Sequence, residues 1–148
     1  MTITTRPFIQ DDYKQWHKLW QGYLAYYKSA IAPEITAATW ARLLDPSSGV
    51  EGFCAVNAEG ALVGIVHYLF HPVTWATGPR CYLEDLFTDK QARGFGAGRA
   101  LIEAVSEAAK AANADQVYWL TEDYNKRAHY LYDKVATKTP FIKYMKTL

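Results

Sequence analysis

At 148 residues the chain is long enough for one domain with a sizeable core and too short for two ordinary ones. Half of its residues are hydrophobic and 15% are aromatic, which excludes a disordered chain. Lys and Arg number 16 against 15 Asp and Glu, a net charge of +1, so nucleic-acid binding through bulk positive charge is excluded as well.

Taken in chain order, ITTRPF is a short strand with Pro7 at an edge or an end. From Ile9 the spacing of Trp16, Leu19, Trp20, Tyr23, Leu24 and Tyr27 is that of a helix, with Asp11 or Asp12 able to cap its start. A second helix begins near Pro33 and runs through ITAATWARLL to the breaker DPSSG. GFCAVNAEGALVGIVHYLF reads as two strands joined in a hairpin at Asn57 to Gly60. HPVTWATGPR is a loop and CYLEDLF a further strand, followed by the long helix AGRALIEAVSEAAKAANA. QVYWLTE is a strand, NKRAHYLYDKVA a helix and TPFIKYMKTL a terminal strand. The order β-α-α-β-β-β-α-β-α-β interleaves helices and strands only in part, which favours an α/β fold with a mixed sheet in a single domain, residues 1–148.

Cys54 and Cys81 lie in apolar strands without ligand spacing and read as buried, reduced thiols. The four histidines, His17, His67, His71 and His129, show no metal-ligand pattern, so no metal is expected. MTITTRPFIQDDYK lacks a signal peptide's apolar core. The longest apolar run, ALVGIVHYLF, is far short of the ~20 residues of a membrane span. The expectation is a soluble, cytoplasmic protein without a membrane partner.

Chemistry concentrates in RGFGAGR, residues 93–99, where a strand hands over to a helix. A helix start carries unpaired N–H groups and the positive end of the macrodipole. Phosphate oxygens suit that place when no Cβ stands in the way. Gly94, Gly96 and Gly98 would clear the surface, with Arg93 and Arg99 at its margins. A flexible surface turn is the other reading of three close glycines. A dinucleotide fingerprint would need a third glycine where Arg99 stands, and the Gly-Lys-Ser/Thr of a nucleotide-triphosphate loop is missing. Behind the turn, Leu101, Ala104, Val105, Ala108 and Ala112 form a stripe of mostly small side chains that lets the helix lie close to the sheet.

With Arg93, Gly96 and Gly98 in the pattern Arg/Gln-x-x-Gly-x-Gly/Ala between strand and helix, residues 82–132 resemble the GCN5-related N-acetyltransferase (GNAT) family. YLEDLFTDKQARGFGAGRALI looks especially like the spermidine/spermine, or polyamine, branch, and TEDYN…LYDK falls where that branch has its second acetyl-CoA segment. The resemblance implies a GNAT-like acyl-CoA N-acyltransferase fold, acetyl-CoA as acyl donor, and a homodimer. It implies that the amides of Arg93, Gly94, Phe95, Gly96, Ala97, Gly98 and Arg99 hold the pyrophosphate. Leu86, Phe87 and Thr88, on a strand splayed from its neighbour, would take the pantetheine arm and the acetyl carbonyl. Asn125 would steady the pantetheine, although an Asn there is also an ordinary helix cap. Ala136 and Thr137 stand where many members have a glycine, so the turn after Val135 is expected to differ, and with it the last strand.

Acetyl transfer to an amine poses two proton problems. An amine of pKa ~10.4 is free base in roughly one molecule in a thousand at neutral pH, and a thiolate leaves more readily when protonated. Glu84, in an otherwise apolar strand, is the candidate for the first, as a base, through water, or by holding the ammonium; a Glu paired with an internal Lys or Arg is the plainer account. Asp85 would point to the opposite face of a regular strand. Tyr132 is the candidate acid for the departing thiolate, implied by the resemblance; its stripe with Ala128, Leu131 and Val135 also suits a core position. Trp20, Tyr23, Tyr26 and Tyr27 wall an amine pocket or form a core face. Asp11, Asp12, Glu34, Glu122 and Asp123 are acidic residues able to attract a polyamine, though capping explains several. The expected activity is direct transfer, in a ternary complex, to a small primary amine, polyamine or amino-acid-like. The alternatives are a protein-lysine acetyltransferase and a non-catalytic acyl-CoA-binding module.

Overall fold

The computed structural model describes residues 2–148. Five strands form one mixed sheet in chain order: β1 (Thr4–Pro7), β2 (Glu51–Val56), β3 (Leu62–His71), β4 (Arg80–Thr88) and β5 (Val117–Tyr118). The first four pair antiparallel, β2 and β3 through the expected hairpin, whose Asn57 side chain accepts from the amides of Glu59 and Ala61. Strand β5 lies parallel to β4, a pairing that needs a crossover.

Helix α3 (Ala97–Ala111) is that crossover. Its stripe of Leu101, Ile102, Val105 and Ala109 is buried against Ala55, Val66, Tyr68 and Leu83 on one face of the sheet. Helices α1 (Tyr13–Tyr26) and α2 (Pro33–Leu44) cover the other face. There Trp16, Leu19, Trp20 and Leu24 meet Phe8, Cys54 and Ile65. Burying a Leu or Ile in either layer contributes roughly 1.5–3 kcal/mol, so each layer offsets a substantial share of the chain's ordering entropy. Helix α4 (Lys126–Val135) buries none of its residues fully and sits beside the start of α3.

Asp12 does not cap α1. It closes a short 3-10 turn, Gln10–Asp12, accepting from the Ile9 amide at 2.9 Å and gripping the Arg6 guanidinium at 2.7 and 2.9 Å. Burial alone would raise its pKa, but the Arg6 and Ile9 bonds outweigh burial and hold it below the usual range.

Two expectations are corrected. QVYWLTE contributes only Val117 and Tyr118 to the sheet, because β4 runs away from it after Tyr82. TPFIKYMKTL forms no strand: residues 136–148 carry neither helix nor strand. The turn before it differs as expected: α4 ends at Ala136 in extended backbone (φ −151°) instead of a left-handed cap.

Candidate active site

The site follows from that divergence. Strand β4 is paired with β3 along its length but with β5 only at Cys81 and Tyr82, so its far half has one edge without a strand partner. Leu86, Phe87 and Thr88 on that half line a cavity of about 660 Å³. Around it stand Tyr23 and Tyr26 of α1 and Tyr27 just after it, Arg93, Gly94, Gly96, Ala97, Gly98 and Arg99 of the turn and α3, and Asn125 and Tyr132. The structure thus brings eleven of the thirteen expected site residues around one space; Phe95 and Glu84 are not among its walls. The Phe95 ring is half exposed.

At the turn, Gly94 and Gly96 have φ of +86° and +88°, where any other residue is strained. A Cβ built on Gly96 would meet nothing within 4 Å, so the turn's surface is bare. The first bond of α3 runs from the Ala100 amide to the Gly96 carbonyl, and no side chain caps the helix. The amides of Ala97, Gly98 and Arg99 therefore have no partner within the helix, at the positive end of its dipole. Gly98 is needed for a different reason: a Cβ there would lie 3.3 Å from Leu131, where α3 and α4 touch. This donor set fits a diphosphate. The two arginine heads are engaged locally, Arg99 with Glu103 at 3.2 Å and Arg93 over the Phe87 ring at 5.9 Å.

On the α4 side, Asn125 accepts from the Ala128 amide at 3.3 Å, so it caps the helix and also faces the cavity. Tyr132 packs edge-on against Trp119, with ring centroids 5.3 Å apart. Burial pushes its phenol up to about 12, so it carries its proton throughout the neutral range and has one to give.

The opposite side departs from expectation. A β-bulge lies between β3 and β4: His67 pairs with Asp85 and Tyr68 with Leu83, leaving Glu84 as the extra residue. The alternation of β4 is broken there, and Asp85 joins Glu84 on the face toward α1 instead of pointing away from it. Asp85 Oδ2 lies 2.9 Å from His67 Nδ1, and His67 Nε2 accepts from the Trp16 indole at 3.0 Å. Burial, and then Asp85, raise the pKa of Glu84. No Lys or Arg among the described residues is in ion-pair reach of either carboxylate, so the internal pairing considered for Glu84 is not found. Trp20 belongs to the core, its indole bonded to Thr36 at 3.2 Å, whereas Tyr23, Tyr26 and Tyr27 reach the cavity. Sequence reasoning set Asp85 on the opposite face and gave His67 no place beside it. The available signals were two adjacent carboxylates in an apolar strand and a histidine inside the chain's longest apolar run.

Comparison with known proteins gives four findings. The profile of the Acetyltransferase (GNAT) family matches residues 10–136. The D-amino-acid N-acetyltransferase HPA3 of Saccharomyces cerevisiae is 39% identical over 143 residues, 96% of this chain and 89% of that protein. The mouse thialysine N-epsilon-acetyltransferase is 40% identical over 77 residues, 51% of this chain and 45% of its own length. Among solved structures, AAC(6')-Iy in complex with the bisubstrate analog CoA-S-monomethyl-acetylneamine superposes with a TM-score of 0.84 over 100% of this chain and 99% of its own, at 16% identity, a likeness of fold.

Proposed function

From the premise that the chain belongs to the acetyltransferase (GNAT) family, we propose that it transfers the acetyl group of acetyl-CoA directly to a small primary amine, polyamine or amino-acid-like, within a ternary complex. One observation carries the reading: the bare, uncapped start of α3 lies beside the unpaired half of β4 on a single cavity. Acetyl-CoA supplies the activated acyl group and a thiolate leaving group. The amides of residues 93–99 hold the diphosphate, Leu86 to Thr88 offer backbone groups to the pantetheine arm, and Asn125 borders its path. A backbone N–H aimed at the acetyl oxygen would contribute ~3–4 kcal/mol to the transition state. Tyr132 gives its proton to the departing sulfur. Glu84 accepts the amine's proton, directly or through water, a task its raised pKa favours.

The acceptor class is supported by the two relatives, named for acetylation of D-amino acids and of thialysine's ε-amine. A homodimer is supported by the tail, where Phe141 is 88% and Tyr144 92% exposed, with Ile142 and Met145 beside them, more apolar surface than a lone chain ordinarily leaves bare. A cytoplasmic workplace is supported by two free, buried cysteines.

The test is thiol release from acetyl-CoA against 1,4-diaminobutane, thialysine, D- and L-amino acids and lysine peptides. Turnover with the small amines is expected. Preference for peptides would replace the acceptor class, and coenzyme A binding without turnover on any amine would leave the non-catalytic module. Light scattering should give the mass of two chains, falling to one when residues 139–148 are removed.

A further inference from the structure

We infer that Asp85 contacts the acceptor's ammonium group and that His67 is the positioning residue that aims it, an inference that rests on the acetyl-transfer reading. The geometry is a relay across the sheet. Trp16, from α1, donates its indole N–H to His67 Nε2 at 3.0 Å. An indole nitrogen only donates, so Nε2 is an acceptor and the ring proton sits on Nδ1, 2.9 Å from Asp85 Oδ2. The His67 side chain is 3% exposed and its ring is walled by those of Phe8, Trp16 and Trp20, with centroids 6.2, 6.1 and 5.3 Å away. It has no room to turn.

The Asp85 side chain, by contrast, keeps 15% exposure. It faces Tyr23, which lines the cavity and whose phenol is raised by burial and then by the Asp85 charge. The Asp85 carboxylate is held by an imidazole N–H, and no Lys or Arg among the described residues lies in ion-pair reach of it. Had the bond served only to join β3 to β4, an Asn would make it at no cost in buried charge. The bulge turns that charge toward the aromatic wall from which an amine would be approached. Asp85 is thus an anchor fixed before binding, so little side-chain entropy is lost when the amine arrives.

The test is steady-state kinetics and calorimetry on the full chain, with 1,4-diaminobutane and thialysine titrated into protein saturated with coenzyme A. Asp85→Asn is expected to raise the amine KM roughly tenfold to a hundredfold and to weaken calorimetric amine binding equally, with the acetyl-CoA KM unchanged. His67→Phe should do the same by about tenfold, and His67→Asn, which keeps a donor near Nδ1, should recover most of it. A structural role alone would lower the melting temperature and disturb both substrates without rescue, which overturns the positioning role. Should His67→Phe fail to fold, Asp85→Asn and His67→Asn decide. Turnover and amine binding unaffected by Asp85→Asn sink this inference and leave acetyl transfer standing. Amine binding that depends on Asp85 in a protein without turnover does the reverse, and no amine binding by the unaltered chain overturns both.

Discussion

The two flanks of the free half of β4 are made of different material. Toward α3 the molecule presents backbone: Gly96 at φ +88°, three amides with no helical partner, and two arginine heads engaged with Glu103 and Phe87. Toward α1 it presents side chains locked to one another, Trp16 to His67 to Asp85, with the Glu84 carboxylate beside them. A site of amides should forgive changes of side chain and punish any added Cβ. A site of side chains should do the opposite, and substitutions can be ranked by which flank they strike.

Tyr132 belongs to the chemistry between the flanks and should show the largest effect. Tyr132→Phe removes one hydroxyl from a ring that stays packed on Trp119. Turnover is expected to fall ~10²-fold or more, in the range of lost general acids, with acetyl-CoA binding retained. Because the phenol is held up at about 12, the alkaline side of the pH profile should show no break from Tyr132 below that value. An unchanged rate in single-turnover measurements removes the residue from its role.

Next comes Glu84→Gln, a test of the side-chain flank, with turnover expected to drop ~10- to 100-fold. The sign of its pH effect is fixed. Burial and Asp85 raise this carboxyl, so its working, ionised form is lost at a higher pH than an ordinary glutamate's. The acid limb of kcat/KM should lie above the usual carboxylate range and vanish in the variant. A limb that persists unchanged belongs to another group.

Gly96→Ala strikes the other flank. A left-handed alanine costs ~1–2 kcal/mol, and its methyl would stand on the bare surface where the diphosphate is proposed to lie. The acetyl-CoA KM should rise about tenfold with the amine KM unmoved. Equal shifts in both would mean that the two flanks are not separate sites.

The same contrast explains what could be read from the sequence. Arg93 to Arg99 are neighbours in the chain, so a bare turn at a helix start was legible from their spacing, with a flexible surface turn as its other reading. His67 meets Trp16 across 51 positions and Asp85 across 18, contacts that no local pattern encodes. Parity along CYLEDLF pointed Asp85 the wrong way, because a bulge adds a residue without any mark in composition. The strand expected at TPFIKYMKTL is rich in aromatic and apolar residues fit for a sheet, yet the segment joins neither of the sheet's edge strands, β1 and β5. Composition reports what a segment can bury, not whether it pairs.

The smallest effect is expected at Arg99, and it sharpens the comparison most because the residue is a cation beside a proposed diphosphate. Its guanidinium lies 3.2 Å from Glu103 on an exposed side of α3, an ion pair worth only ~0.3–0.5 kcal/mol. What the proposed site takes from this residue is its amide, which Arg99→Ala keeps. Alanine also preserves the helix, being its best former. The acetyl-CoA KM should therefore change by no more than about threefold, less than tenfold in affinity being under 1.4 kcal/mol. A much larger rise, measured at fixed ionic strength, would mean that the guanidinium leaves Glu103 to hold the phosphates, and the flank toward α3 would then be a side-chain site like its neighbour.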